Sequence, residues 1–159
     1  MKKVFLTLAL VVSMAGALSA QATDQAIGVR FGGGLGYGAE LSYQQPLGAA
    51  NRLELDLGLS NWGFGLSGVY QWVWDLSDLA PGFNWYAGVG AGLGSYNFDY
   101  DNDRYGNNEL SLGLLGQIGI EYNFEIPLQL SLDYRPGIYF VPSYYNSYEG
   151  ICLAARYRF

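Results

Sequence analysis

The chain has 159 residues, 8 Lys and Arg against 14 Asp and Glu, a formal charge of −6, one Cys, 23 Gly, 14 Tyr and no His. An acidic chain has no basic footprint for nucleic acid, the absence of histidine removes the usual general base, and the lone Cys152 excludes an internal disulfide. The glycine load and the lack of any long 3.6-residue period argue against a helical protein.

The first element is a leader. Met1-Lys2-Lys3 is basic, residues 4–17 form an apolar run, and Ala20-Gln21-Ala22 fits a small-x-small cleavage site, which reads as a signal peptide over 1–22. The run is shorter than the ~20 residues of a spanning helix. Without the leader both lysines are gone, and six arginines face all fourteen acids, a balance of −8. Residues 23–159 suit one domain.

From there the period is two. In Arg52-Leu-Glu-Leu-Asp-Leu-Gly-Leu-Ser60 every second residue is leucine, the pattern of a strand with one apolar face. The same test predicts strands over 26–34, 38–45, 52–60, 64–74, 83–97, 109–122, 128–140 and 148–159. Turn chemistry at 46–51, 75–82 and 123–127 lies on the side of both chain ends, and breaks at 35–37, 60–63, 98–108 and 141–147 lie on the other. Pro136 falls inside the seventh strand, where its missing donor predicts a bulge or a slipped register.

The two parities sort alike on every strand. One carries Ile27, Val29, Leu41, the four leucines of 53–59, Leu66, Trp72, Trp74, Trp85, Val89, Leu112, Leu114, Ile118, Leu130, Leu132 and Ile138, and no charge. The other carries Arg30, Glu40, Glu54, Asp56, Gln71, Gln117, Glu121, Asp133, Arg135 and Arg156, with many glycines. Aromatic residues gather at both strand ends, among them Trp72, Trp74, Trp85 and Tyr122 at one and Trp62, Phe64, Tyr96 and Phe140 at the other, as at two membrane interfaces. The last strand keeps the rule, with Ile151, Leu153, Ala155, Tyr157 and Phe159 on its apolar parity. A soluble barrel of the lipocalin type is the competitor, because alternation alone does not say which face is inside. The two girdles and the aromatic ending have no role in water and favour the membrane barrel.

The terminal Tyr157-x-Phe159 resembles the signal by which outer-membrane β-barrels are recognised for assembly. The eight strands resemble the small barrels of the outer-membrane protein X and protein A type. Gly119-Ile-Glu-Tyr-Asn-Phe124 and Pro127-Leu-Gln-Leu-Ser-Leu-Asp-Tyr-Arg-Pro136 look like the small barrel proteins of Bacteroidota-like bacteria. The resemblance implies an all-β, eight-stranded antiparallel up-and-down transmembrane barrel, in the outer membrane of a Gram-negative bacterium. It also implies lipid and the barrel-assembly machinery, engaged through Tyr157 and Phe159, as partners. The cell-wall-binding domain of the protein A type does not carry over, since no sequence follows Phe159.

Inward charges Arg30, Arg52, Arg135, Arg156 and Arg158 face Glu40, Glu54, Asp56, Asp75, Glu109, Glu121 and Asp133, a near balance that predicts pairing across a narrow lumen. The inward Gly88, Gly90, Gly92 and Gly94 leave space and keep a passive path for small solutes or apolar molecules as the alternative. Enzymatic chemistry lacks a nucleophile with a base, and no cofactor or metal is expected. Asp99, Asp101 and Asp103 have the spacing of a calcium loop's first ligands, but Arg104 stands where that loop needs glycine. With Tyr105, Tyr144 and Tyr145 they form a candidate surface for an outside partner. The expected protein is a monomeric, porin-like envelope barrel with a closed, charge-paired lumen and a structural or surface-interaction role.

Overall fold

The computed structural model of the chain describes residues 25–32, 38–60, 63–97, 108–141 and 145–159. Eight strands run in order: β1 Ala26–Phe31, β2 Ala39–Pro46, β3 Asn51–Ser60, β4 Gly63–Asp75, β5 Phe83–Asn97, β6 Asn108–Asn123, β7 Leu128–Val141 and β8 Tyr145–Arg158. Each pairs antiparallel with its sequence neighbour, and β1 closes on β8 through Ala26 opposite Arg158, giving a closed up-and-down barrel. Closure matters physically because every strand has a partner on both sides and none is left as an open edge.

The turns that join β2 to β3, β4 to β5 and β6 to β7 share one end of the barrel with the start of β1 and the finish of β8, here the near end. Local hydrogen bonds close them. Leu47 N donates to Asn51 O (2.9 Å), Phe124 N to Leu128 O (3.0 Å), and Ser77 N to the Asp75 side-chain Oδ1 (2.7 Å). Gly82 finishes the longest of these turns at φ +85°, and a Cβ there would stand 2.8 Å from Asn123 O, so only glycine fits without strain. Phe159 N donates to Gln25 O (2.9 Å) and seals the seam at the same end.

Strand bounds differ from the expected ones in one informative place. Residues 145–147, expected in a loop, continue β8 and pair with Tyr139, Ile138 and Gly137. Asn146 and Ser147 favour turns, but β7 runs on to Val141 and its backbone groups need partners. The register of β7 against β8 shifts between Tyr134 and Pro136, the irregularity that Pro136 predicts, and a second shift lies between Leu112 and Gly113 in the β6–β7 ladder.

Alternation sets the two faces. Among the described residues seventeen polar or charged side chains are buried and only seven apolar ones, whereas 26 large hydrophobic residues point outward, between 38 % and 85 % exposed. This is the reverse of a water-soluble domain, whose apolar side chains go inside.

Candidate functional site

The lumen is the most highly organised part of the molecule. Its inward positions come from the even-numbered residues of β3 and the odd-numbered ones of β7, so a single step of register would turn every charge outward.

Glu54 on β3 is the hub. It accepts from Arg135 Nη2 (2.6 Å), Arg156 Nη2 (2.9 Å), Gln44 Nε2 (2.7 Å) and Gln117 Nε2 (3.1 Å). Arg135 Nη2 also reaches Asp56 Oδ2 at 2.6 Å, and its Nη1 donates to Ser67 Oγ at 3.0 Å. Arg156 spreads its other donors over Ser42 Oγ (2.9 Å) and Ser131 Oγ (2.8 Å).

A second group centres on Arg30, which donates to Glu40 Oε2 (2.9 Å) and through Nη2 to Asp133 Oδ1 (2.6 Å). Tyr86 OH donates to the other oxygen of Asp133 at 3.3 Å. Nearer the near end, Arg52 Nη2 donates to Glu121 Oε2 (2.6 Å), and its guanidinium lies 4.9 Å from the Tyr86 ring centroid. Gln71 links this pair to the hub, accepting from Arg52 Nε (2.5 Å) and donating to Gln117 Oε1 (2.7 Å).

The barrel thus brings together Arg30, Glu40, Glu54, Asp56, Glu121, Asp133, Arg135 and Arg156, and adds Arg52, Gln44, Gln71, Gln117 and Tyr86. Four arginines face five carboxylates in this network, a formal balance of −1. Of the charges expected inward, the side chain of Glu109 lies outside the described residues, and Asp75 and Arg158 do not join the network. Asp75 lies at the near-end rim and is held by Ser77, while Arg158 donates to the backbone carbonyls of Phe124 (2.7 Å) and Ile126 (3.4 Å). Both sit at strand ends, at the rim of the lumen. Asp99, Asp101, Asp103, Arg104, Tyr105 and Tyr144 lie outside the described residues, and Tyr145 is the first residue of β8.

An apolar cluster sits beside the polar network inside the barrel and was not expected. Val69, Leu115 and Tyr139 are buried together inside the barrel. The inward glycines do not leave an open path here, because neighbouring side chains occupy the space they release. A Cβ on Gly88 would stand 2.8 Å from Val69 Cγ1, on Gly92 3.3 Å from Leu115 Cδ1, and on Gly119 2.5 Å from Tyr86 Cζ. Register was the available signal. Gly90 pairs with Val69 on one side and Leu115 on the other, and Gly119 pairs with Tyr86, so these two inward glycines face bulky inward neighbours.

At the near end the lumen opens into a vestibule of about 210 Å³, lined by Arg52, Glu121 and Arg158, the amides of Gln44, Asn51, Asn84, Asn123 and Gln129, and the β2–β3 turn. No protein-family model, no curated protein and no solved structure matches the chain.

Proposed function

We propose that the chain is an integral outer-membrane barrel with a closed lumen, serving envelope structure or presenting its far-end segments to outside partners. The observation that carries this reading is the inverted distribution of side chains. Burying a Val, Leu, Ile or Phe side chain is worth roughly 1.5–3 kcal/mol, so a barrel that leaves 26 large hydrophobic residues exposed, all but Leu47, Leu79 and Ile126 on or next to its strands, is strongly unfavourable in water and favourable against lipid. The near-end aromatics support the same placement. Trp74 stacks on Trp85 at 4.1 Å, and Tyr122 packs between Phe83 (4.7 Å) and Phe124 (4.6 Å), all beside the near-end rim. On this reading lipid surrounds a monomer, Tyr157 and Phe159 address it to the assembly machinery, and the near end faces the periplasm.

The closed lumen rests on two obstructions, the ion-paired network and the cluster of Val69, Leu115 and Tyr139. They favour a structural or surface role over a solute path. On this reading the lumen carboxylates serve as partners of the guanidinium groups that each lies against.

Ile118 tests the membrane placement. It lies four residues from the Tyr122 girdle, about 13 Å along the strand at ~3.3 Å per residue and about 10 Å in height at a ~40° tilt, close to the middle of a ~25 Å apolar band. Ile118→Arg is expected to destabilise the barrel in lipid vesicles by about 2–4 kcal/mol, read from urea titration of the folded gel band. Equal stability of variant and parent in vesicles would sink the membrane reading. In a planar bilayer the folded parent is expected to be silent, and discrete openings would remove the closed lumen.

A further inference from the structure

Arg158 stands apart from the other described arginines. Arg30, Arg52, Arg135 and Arg156 each lie within ion-pair distance of a carboxylate. The side chain of Arg158 instead meets two neutral carbonyls through Nη2, and its Nε is buried without a hydrogen-bond partner. A guanidinium has five donors in a fixed fork suited to carboxylate and phosphate. Here that fork has a spent edge and a donor left over, with no carboxylate within ion-pair distance among the described residues.

The surroundings point the same way. Arg158 borders the near-end vestibule, where the other charged lining groups are Arg52 and Glu121. Glu121 is already neutralised, one oxygen accepting from Arg52 Nη2 at 2.6 Å and the other from Asn84 Nδ2 at 3.1 Å. The vestibule therefore carries a formal surplus of one positive charge within an acidic chain. Asn51 and Asn123 add amides to the rim. The volume of about 210 Å³ is that of about seven waters at ~30 Å³ each, ample for a small anion and too small for a folded partner.

We infer that the near-end vestibule is a binding site for a small oxyanion, a carboxylate or a phosphate, with Arg158 as its principal ligand and the rim amides completing its shell. The inference concerns the mouth of the barrel and goes beyond the closed-lumen reading, since it needs no passage through the barrel.

The test is a titration of the full chain, refolded in phosphate-free maltoside micelles, with inorganic phosphate and separately with acetate, followed by the arginine Nε–H resonances in a proton–nitrogen NMR spectrum. Arg158 Nε–H is expected to move saturably, while the Nε–H signals of Arg30 and Arg156, locked in the lumen, stay fixed. Arg158→Gln is expected to weaken the phosphate response of the Asn123 side-chain amide about tenfold, the loss of one charged hydrogen-bonding partner. Arg158→Lys, which keeps the charge and loses the fork, is expected to fall between. A response to phosphatidylglycerol added to the micelles, with none to free phosphate, would assign the oxyanion to a lipid headgroup. An Arg158 Nε–H that stays still with all three probes, or that moves equally with uncharged glucose, overturns the site whether or not either variant folds.

Discussion

Replacing Glu54 with Gln separates two accounts of what holds the lumen together. If overall charge balance were the main determinant, Glu54→Gln would stabilise the barrel, because it moves the network from −1 to neutral. The geometry predicts the opposite. Glu54 holds Arg156 Nη2 at 2.9 Å and Arg135 Nη2 at 2.6 Å, and no other carboxylate lies within ion-pair distance of Arg156 among the described residues. Removing one partner of a buried pair costs about 3–5 kcal/mol, because it leaves the other charge uncompensated. At a urea slope of ~2 kcal/mol/M the midpoint should drop by roughly 2 M, measured by the mobility shift between folded and unfolded barrel in vesicles. Asp56→Asn is the control. It changes the formal balance by the same amount, but Asp56 Oδ1 has no partner and Arg135 keeps Glu54, so it should cost less than half as much. Adding Arg156→Gln to Glu54→Gln should recover part of the loss, with a coupling of about 1 kcal/mol or more. A Glu54→Gln barrel as stable as the parent, or more so, would refute the reasoning from local pairing.

Two further outcomes follow from the packing. Gly119→Ala should destabilise by about 1–3 kcal/mol through overpacking, since the new methyl would meet the Tyr86 ring. Outward Gly116→Ala, where the nearest atom is Pro136 Cγ at 3.6 Å, should be near neutral in the same titration. Leu115→Ala should cost about 2–5 kcal/mol yet leave the planar bilayer silent, because the ion-paired network still fills the lumen. Conductance from that variant alone would show that the apolar cluster is the only seal.

How much of this was legible in the sequence depended on what alternation encodes. The leucines of β3 against Arg52, Glu54 and Asp56 fix both a strand and its two faces, and the same pattern recurs often enough to count eight strands. It says nothing of which charge meets which. That Arg156 lies against Glu54 and Arg30 against Asp133 follows from closing the cylinder, which brings together residues 102 and 103 apart in the chain. The buried apolar cluster was hidden for a related reason. Val69, Leu115, Tyr139 and Tyr86 sit on the polar parity, where an apolar residue reads as noise, and their meaning lies in the glycines opposite them. Arg158 and Asp75 share the inward parity but fall at strand ends, and parity carries no information about height along the barrel.

Those same long-range pairs bear on how the cylinder is made. A sheet lacking β8 would hold Glu54 without Arg156, and one lacking β1 would hold Asp133 without Arg30. An incomplete barrel therefore has two defects at once, an open edge and a lumen carboxylate that has lost a guanidinium partner. The charges act as a proofreading device for the count of strands. They couple the seam between β1 and β8 to the pairing of the lumen charges, because Arg30 and Arg156 sit on the two strands that the seam joins.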